Sequence, residues 1–161
     1  MRLNYDAVRG VLMYLGEYLG YVDSTSDLPH KHQTMVTGII VNGAITNYSE
    51  NETLFNNQDA IYAVEQLINN GYLETNGIKY VDGDMVFARV RDITWSGHEL
   101  LKSLENEQVW NAVKEISVKR GGMPIGVLAK VCGQLSMLAM TQPDALLNVE
   151  KAITTCFGAL L

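Results

Sequence analysis

The stretch Asp92-Ile-Thr-Trp-Ser-Gly-His-Glu-Leu-Leu-Lys-Ser-Leu-Glu-Asn-Glu-Gln-Val-Trp110 decides the fold, because a strand gives way to a helix within it. Ser96 and Glu99 have the spacing of a capping box, which predicts a helix that starts at Ser96. In that register Trp95 and Leu100 take the two positions of a hydrophobic staple. We therefore expect Trp95 to be buried, and Trp95→Ala to cost about 3–5 kcal/mol, as the loss of a large buried aromatic does.

The same stretch carries a resemblance to a known family, whose members share a Thr-Trp-x-Gly-His-Glu-Phe-Leu signature, a Trp-x-x-x-Lys segment and a Gly-Gly-x-x helix start. This chain has Thr94-Trp-Ser-Gly-His-Glu-Leu-Leu, then Trp110 with Lys114, then Gly121-Gly-Met-Pro124. It resembles short bacterial and phage proteins known only as a domain of unknown function. The resemblance covers most of residues 1–140. It implies a winged helix-turn-helix with a helical tail, and it implies no activity.

Four residues of this motif are interpreted as structural: Trp95, Gly97, His98 and Trp110. A lone histidine in the first turn of a helix is more often a packing or capping residue than a ligand.

Apolar periodicity and turn signals divide the chain into two parts. Residues 1–105 are predicted to form a winged-helix-like domain. Its expected elements are a helix over 5–19, a strand over 36–41, a helix over 57–70, and a hairpin closed by Asp82-Gly83. The family resemblance implies a further short helix after Ser49. Residues 106–161 are predicted to be a helical extension, packed on the first domain or used for dimerisation. The predicted class is mainly α with a small β-hairpin, that is, α+β.

Charge bears directly on the choice of partner. The net charge is −6, and residues 1–110 hold 7 Lys and Arg against 15 Asp and Glu. DNA-binding domains are usually basic on one face, because phosphate contacts supply most of their affinity. The half of the chain expected to look like a DNA-binding fold is therefore the acidic half.

Two surfaces are candidate binding sites. The predicted helix over 57–70 has no lysine or arginine, and we expect its polar face to contact a protein partner through Asp59, Tyr62, Gln66 and Asn69. A solvated face without a partner is the alternative interpretation. The cations of the predicted wing, which would contact phosphates if DNA were bound, are Lys79, Arg89 and Arg91.

Catalytic and metal-binding motifs are not found, so the chain is predicted not to be an enzyme and to need no cofactor. His30 and His32 lie in a polar stretch without further ligands, and no metal site is expected. Cys132 and Cys156 lie in apolar helical stretches without CxxC spacing, as reduced core cysteines of a cytoplasmic protein do. No segment approaches the length of a membrane span.

Two functions remain open. The first is a non-catalytic protein-interaction module, phage-derived, that acts as a regulator or inhibitor through an acidic surface. The second is a DNA-binding transcriptional regulator that acts as a homodimer, with residues 144–161 paired between two copies. The acidic balance favours the first, and the expected fold favours the second.

Overall fold

The computed structural model of the chain describes residues 2–18, 34–39, 44–47, 52–56 and 58–158. Its α-helices are α1 (Tyr5–Tyr18), α2 (Gln58–Asn69), α3 (Trp95–Glu105), α4 (Glu107–Arg120), α5 (Ile125–Thr141) and α6 (Val149–Gly158). Its strands are β1 (Thr34–Ile39), β2 (Ala44–Asn47), β3 (Glu52–Asn56), β4 (Leu73–Val81) and β5 (Asp84–Ile93). A 3₁₀ helix covers Pro143–Leu147. The predicted α+β class, mainly helical with a small β region, is confirmed.

The five strands form one antiparallel sheet in the order β3-β2-β1-β5-β4. The predicted strand over 36–41 is confirmed over 36–39 as part of β1, which pairs with β5, and residues 40 and 41 lie outside the described residues. The predicted hairpin is confirmed too. Asp82 and Gly83 have φ of 52° and 90°, the left-handed backbone that a tight two-residue turn requires.

The short helix expected after Ser49 is wrong, because strand β3 starts at Glu52 and pairs with β2. Thr53 and Phe55 favour an extended backbone, and β2 supplies the hydrogen-bonding partner that a lone strand would lack. β3 ends at Asn56 and α2 starts at Gln58, so a strand precedes α2 almost directly.

Register shifts in the β4–β5 hairpin change which residues face the core. Tyr80 pairs with Met85 and Lys79 with Phe87, which leaves Val86 as an extra residue, a β-bulge. In a strand with regular alternation, Val86 would share a face with Ala88 and Val90. The bulge instead buries Met85 beside them and leaves Val86 half-buried.

One hydrophobic core joins α1, α2, β5, α3, α4 and α5. Trp110 is 2% exposed in this core, and two cations face its ring: Arg9 at 5.0 Å and Lys114 at 5.4 Å from the centroid. Arg9 also donates to the carbonyl of Leu104 and pairs with Glu107. The Trp-x-x-x-Lys segment thus places a lysine one helical turn from the tryptophan, where a cation–π contact forms.

The turn between α4 and α5 is joined to the amino-terminal helix. The hydroxyl of Tyr5 donates to the carbonyl of Met123 at 3.0 Å and accepts from the Met123 N–H. Gly121 caps α4 with φ of 76°, and Gly122, with φ of 104°, lies against the guanidinium of Arg2. Both glycines therefore occupy backbone conformations that other residues rarely adopt.

The carboxyl-terminal segment is interrupted at Asn148, between the 3₁₀ helix and α6. Leu146 and Ala152 are buried on the two sides of this break. The described part of the segment 144–161, which was predicted to pair between two copies, is therefore not one continuous helix. The homodimer through this segment and the division of the chain at residue 105 stay predictions.

The start of α3 corrects the predicted capping box. Thr94, not Ser96, is the N-cap: its side chain accepts from the Gly97 N–H at 3.1 Å. The Thr94 hydroxyl also donates to the carbonyl of Gly71 at 2.7 Å, and the Thr94 N–H donates to the carbonyl of Tyr72 at 3.1 Å. Trp95 becomes the first residue of the helix.

The predicted staple is therefore wrong, since Trp95 is 80% exposed while Leu100 is buried. The physical reason lies at Gly97. A Cβ there would overlap the carbonyl oxygen of Tyr72 and come within 2.6 Å of Cγ2 of Ile93. This close approach determines which side of the first turn of α3 faces the hairpin. Trp95 is thereby directed away from the hairpin.

We predict that Gly97→Ala lowers the free energy of unfolding by about 3 kcal/mol, because its methyl group would overlap backbone that has little room to shift. Gly133→Ala is the matched control, since nothing lies within 4 Å of its added Cβ. We expect that control to be neutral or to stabilise by up to about 1 kcal/mol, as helical Gly→Ala changes do. Urea denaturation measures both, and equal effects would contradict the close contact at Gly97.

Candidate interaction groove

An open groove of about 980 Å³ runs between α3 and α5. Residues of α3 and its flanks form one wall: Tyr72, Trp95, Ser96, His98, Glu99, Leu100, Lys102, Ser103, Asn106 and Gln108. Residues of α5 form the other: Gly126, Ala129, Lys130, Gly133, Ser136, Ala139 and Met140.

Small side chains on α5 keep the groove open. Gly126, Ala129, Gly133 and Ser136 follow one another at helical spacing and so lie on one face of α5. At Gly126 and Gly133 nothing lies within 4 Å of the position that a Cβ would take. A larger residue at either position would project into free space.

Two hydroxyl groups link the helices along the groove. Ser136 donates from its hydroxyl to that of Ser103 at 2.9 Å, and Ser103 donates to the carbonyl of Glu99 at 3.1 Å. Ser103 is 9% exposed, and this chain satisfies its hydroxyl. The spacing between α3 and α5 is therefore fixed by a direct hydrogen bond.

Large apolar side chains are exposed on both walls. Trp95 on α3 is 80% exposed, and Met140 on α5 is 85% exposed. Met137, on the same helix and 68% exposed, does not line the groove. Tyr72 lies half-buried in the wall, and burial, with a smaller effect from Cys132, raises the pKa of its hydroxyl.

The charged side chains of the groove are two lysines and one carboxylate: Lys102, Lys130 and Glu99. All three are exposed. Among the described residues, neither lysine forms a salt bridge. The groove is thus locally positive in a chain whose net charge is −6.

The residues of the Thr-Trp-x-Gly-His-Glu motif divide into two groups. Thr94 and Gly97 position the helix through the contacts given above, whereas Trp95, His98 and Glu99 are exposed and line the groove. His98 was predicted to pack or cap, and the packing part is corrected, because its side chain is exposed and lines the groove. The α5 wall was not predicted from the sequence. Its one signal was the run of small residues on one helical face.

The predicted face of α2 lies outside this groove. Asp59 accepts a hydrogen bond from the side-chain amide of Asn4 at 3.0 Å, Tyr62 and Gln66 are half-buried, and Asn69 is exposed. Next to this face, the pKa of Tyr80 is raised by burial and by the Glu65 carboxylate.

The wing cations do not form a basic stripe among the described side chains. Lys79 is exposed, and Arg91 lies 4.0 Å from the carboxylate of Glu74. The side chain of Arg89 lies outside the described part.

Within the described residues, no group of three or more histidine, cysteine or acidic side chains is placed to hold a metal ion. Cys132 is a free thiol in the core, and burial raises its pKa to about 12. His30, His32 and the side chain of Cys156 lie outside the described part of the chain.

No helix in the described residues combines the length and the apolar character needed to cross a membrane.

The fold and the groove together define a small α+β protein with an open groove between two helices. The family model described as Hypothetical protein (DUF2513) matches residues 2–123, and the chain belongs to this family, a domain of unknown function. Neither curated proteins nor solved structures give a match.

The two tryptophans should respond differently to truncation. We predict that Trp95→Ala lowers the free energy of unfolding by less than about 1 kcal/mol, because an exposed side chain has little burial to lose. Trp110→Ala should cost about 3–5 kcal/mol, because it removes a buried ring from the core. Chemical denaturation of both variants measures this contrast, and a large loss for Trp95→Ala would place its ring against the protein.

Proposed function

We propose that this chain is a non-catalytic protein-interaction module that binds a helical segment of a partner in the groove between α3 and α5. The observation that carries the proposal is the 80% exposure of Trp95 on the wall of a groove of about 980 Å³. Tryptophan is enriched among the residues that dominate binding energy at protein interfaces. Exposing it to water without a partner leaves a large apolar area unburied.

The opposite wall supports the same conclusion. Methionine side chains are flexible and polarisable, so Met140 can adapt its shape to an incoming side chain. The small residues between Gly126 and Ser136 allow the backbone of an incoming helix to approach closely. An apolar stripe on that helix could then contact Trp95 and Met140 together, as in helix-in-groove recognition.

The dimensions of the groove favour a helix over a small molecule. Its α5 wall extends from Gly126 to Met140, which at 1.5 Å per residue is roughly 20 Å. A helix of about four turns has this length. Small-molecule sites usually enclose most of the ligand, whereas this groove is open along its side.

In this proposal the remainder of the chain is a scaffold. We propose that α2 is the counterpart of the recognition helix of a winged-helix protein and that the β4–β5 hairpin is the counterpart of its wing. β1 pairs with β5 of this hairpin. The setting that the family resemblance suggests is a cytoplasmic regulator or inhibitor of phage or prophage origin. Self-association through residues 144–161 remains compatible with it.

The DNA-binding alternative has less support. A helix-turn-helix needs two helices joined by a short turn, whereas the element directly before α2 is strand β3. α2 carries no lysine or arginine, and Arg91 of the hairpin already faces Glu74. We therefore favour a protein partner.

The binding test is a selection from a display library of amphipathic helical peptides, with the wild-type chain as target. The reference target is Gly133→Leu, which should fill the groove without disturbing the core, since Gly133 has open space beside it. We expect peptides enriched on the wild type to bind Gly133→Leu at least about tenfold more weakly. A tenfold loss of affinity corresponds to about 1.4 kcal/mol, the cost of one lost apolar contact.

Two methionines provide the matched control for this selection. Met140→Ala should weaken the enriched peptides several-fold, whereas Met137→Ala, on the same helix but outside the groove, should leave their affinity unchanged. No enriched peptides, or peptides that bind Gly133→Leu equally well, would overturn the proposed site.

Duplex DNA gives a separate prediction. We expect no binding of labelled random duplex at micromolar protein, at about 50 mM or about 200 mM salt, as judged by fluorescence anisotropy. Binding that weakens steeply between these two salt concentrations would instead support the dimeric DNA-binding regulator.

A further inference from the structure

We propose that the helix bound in the groove is acidic: carboxylates flank its apolar stripe and pair with Lys102 and Lys130. This inference rests on the proposed function and adds the chemistry of the partner. It applies to a segment of another protein, not to a second copy of this chain.

The charge of the groove supports this assignment. Lys102 on α3 and Lys130 on α5 line opposite walls, so an incoming helix would have one lysine on each side. Of the groove-lining side chains, only Glu99 is a carboxylate. The groove therefore carries a local positive charge.

The pairing state of the lysines supports it further. Elsewhere in the described residues, three cations form salt bridges: Arg9 with Glu107, Arg91 with Glu74, and Lys119 with both Glu115 and Glu150. Lys102 and Lys130 have no such partner among the described residues, and they line the same groove as Trp95 and Met140. Their charges remain available to a ligand.

The spatial arrangement sets the pattern that the partner must carry. Trp95 and Met140 require apolar side chains that recur on one face of the helix, at spacings of three and four residues. Lys102 and Lys130 require Asp or Glu on the borders of that stripe. A basic helix would bring like charges together at both lysines and be rejected.

Each exposed pair would contribute modestly, by about two- to fivefold in affinity, as exposed ion pairs do. Specificity comes from the sum of attraction by acidic helices and repulsion of basic ones.

The experiment repeats the peptide selection on Lys102→Glu/Lys130→Glu. The control target is Lys79→Glu/Lys151→Glu, which changes the net charge equally at exposed cations outside the groove. The readout is the ratio of acidic to basic residues at positions that flank the apolar stripe. We expect acidic residues to prevail on the wild type and on the control, and basic residues to prevail on the groove variant.

The outcomes separate this inference from the proposed function. Peptides that depend on an open groove at Gly133 but show the same charge pattern on all targets would overturn the acidic partner and keep the groove. No groove-dependent peptides would overturn both. Dimerisation of the wild type that Gly133→Leu abolishes would make a second copy the occupant and overturn the acidic partner.

Discussion

The contact between Gly97 and the carbonyl of Tyr72 is the constraint on which the rest of the structure depends. It brings the first turn of α3 against the residue that links α2 to the hairpin. Thr94 strengthens the junction through its bonds to Gly71, Tyr72 and Gly97. Residues two apart in an α-helix lie on roughly opposite sides, about 200° apart at 3.6 residues per turn, so Gly97 facing inward leaves Trp95 directed outward. The exposed tryptophan is thus a consequence of the joint that holds two parts of the fold together.

The groove follows from a second constraint on α5. The Tyr5 hydroxyl holds both backbone groups of Met123 just before α5 begins, and Ser136 bonds to Ser103 near its other end. Because these bonds hold α5 in place against α3, α5 does not move onto α3 to cover Gly126 and Gly133. Closing the gap would also gain little, because small residues offer little apolar area to bury. Openness is therefore a stable property of the packing.

The local sequence pattern predicted those elements whose structure depends on their own residues. It failed where contacts with residues distant in sequence determine the structure. The periodicity around Val64 and the turn at Asp82 predicted α2 and the hairpin. Ser96 and Glu99 satisfied a capping box, but Thr94 is also a favoured N-cap residue, and the contact of Gly97 with Tyr72, remote in sequence, selects it. Strand β3 formed where a helix was expected because β2 offers a partner. The groove unites α3 with the later helix α5, so no local pattern could locate it.

The net negative charge of the chain is compatible with the proposed acidic partner, because charges far from the groove have little effect on a helix bound there. At physiological salt the Debye length is about 8 Å, so exposed charges across the molecule are largely screened from a bound helix. The lysines that line the groove are close to any occupant, and their effect outweighs that of remote carboxylates. Single exposed apolar side chains such as Met137 are ordinary features of a protein surface. Trp95 differs because its exposed ring lines a groove that is also lined by two lysines without a salt bridge among the described residues. This combination, more than the net charge, indicates what the surface recognises.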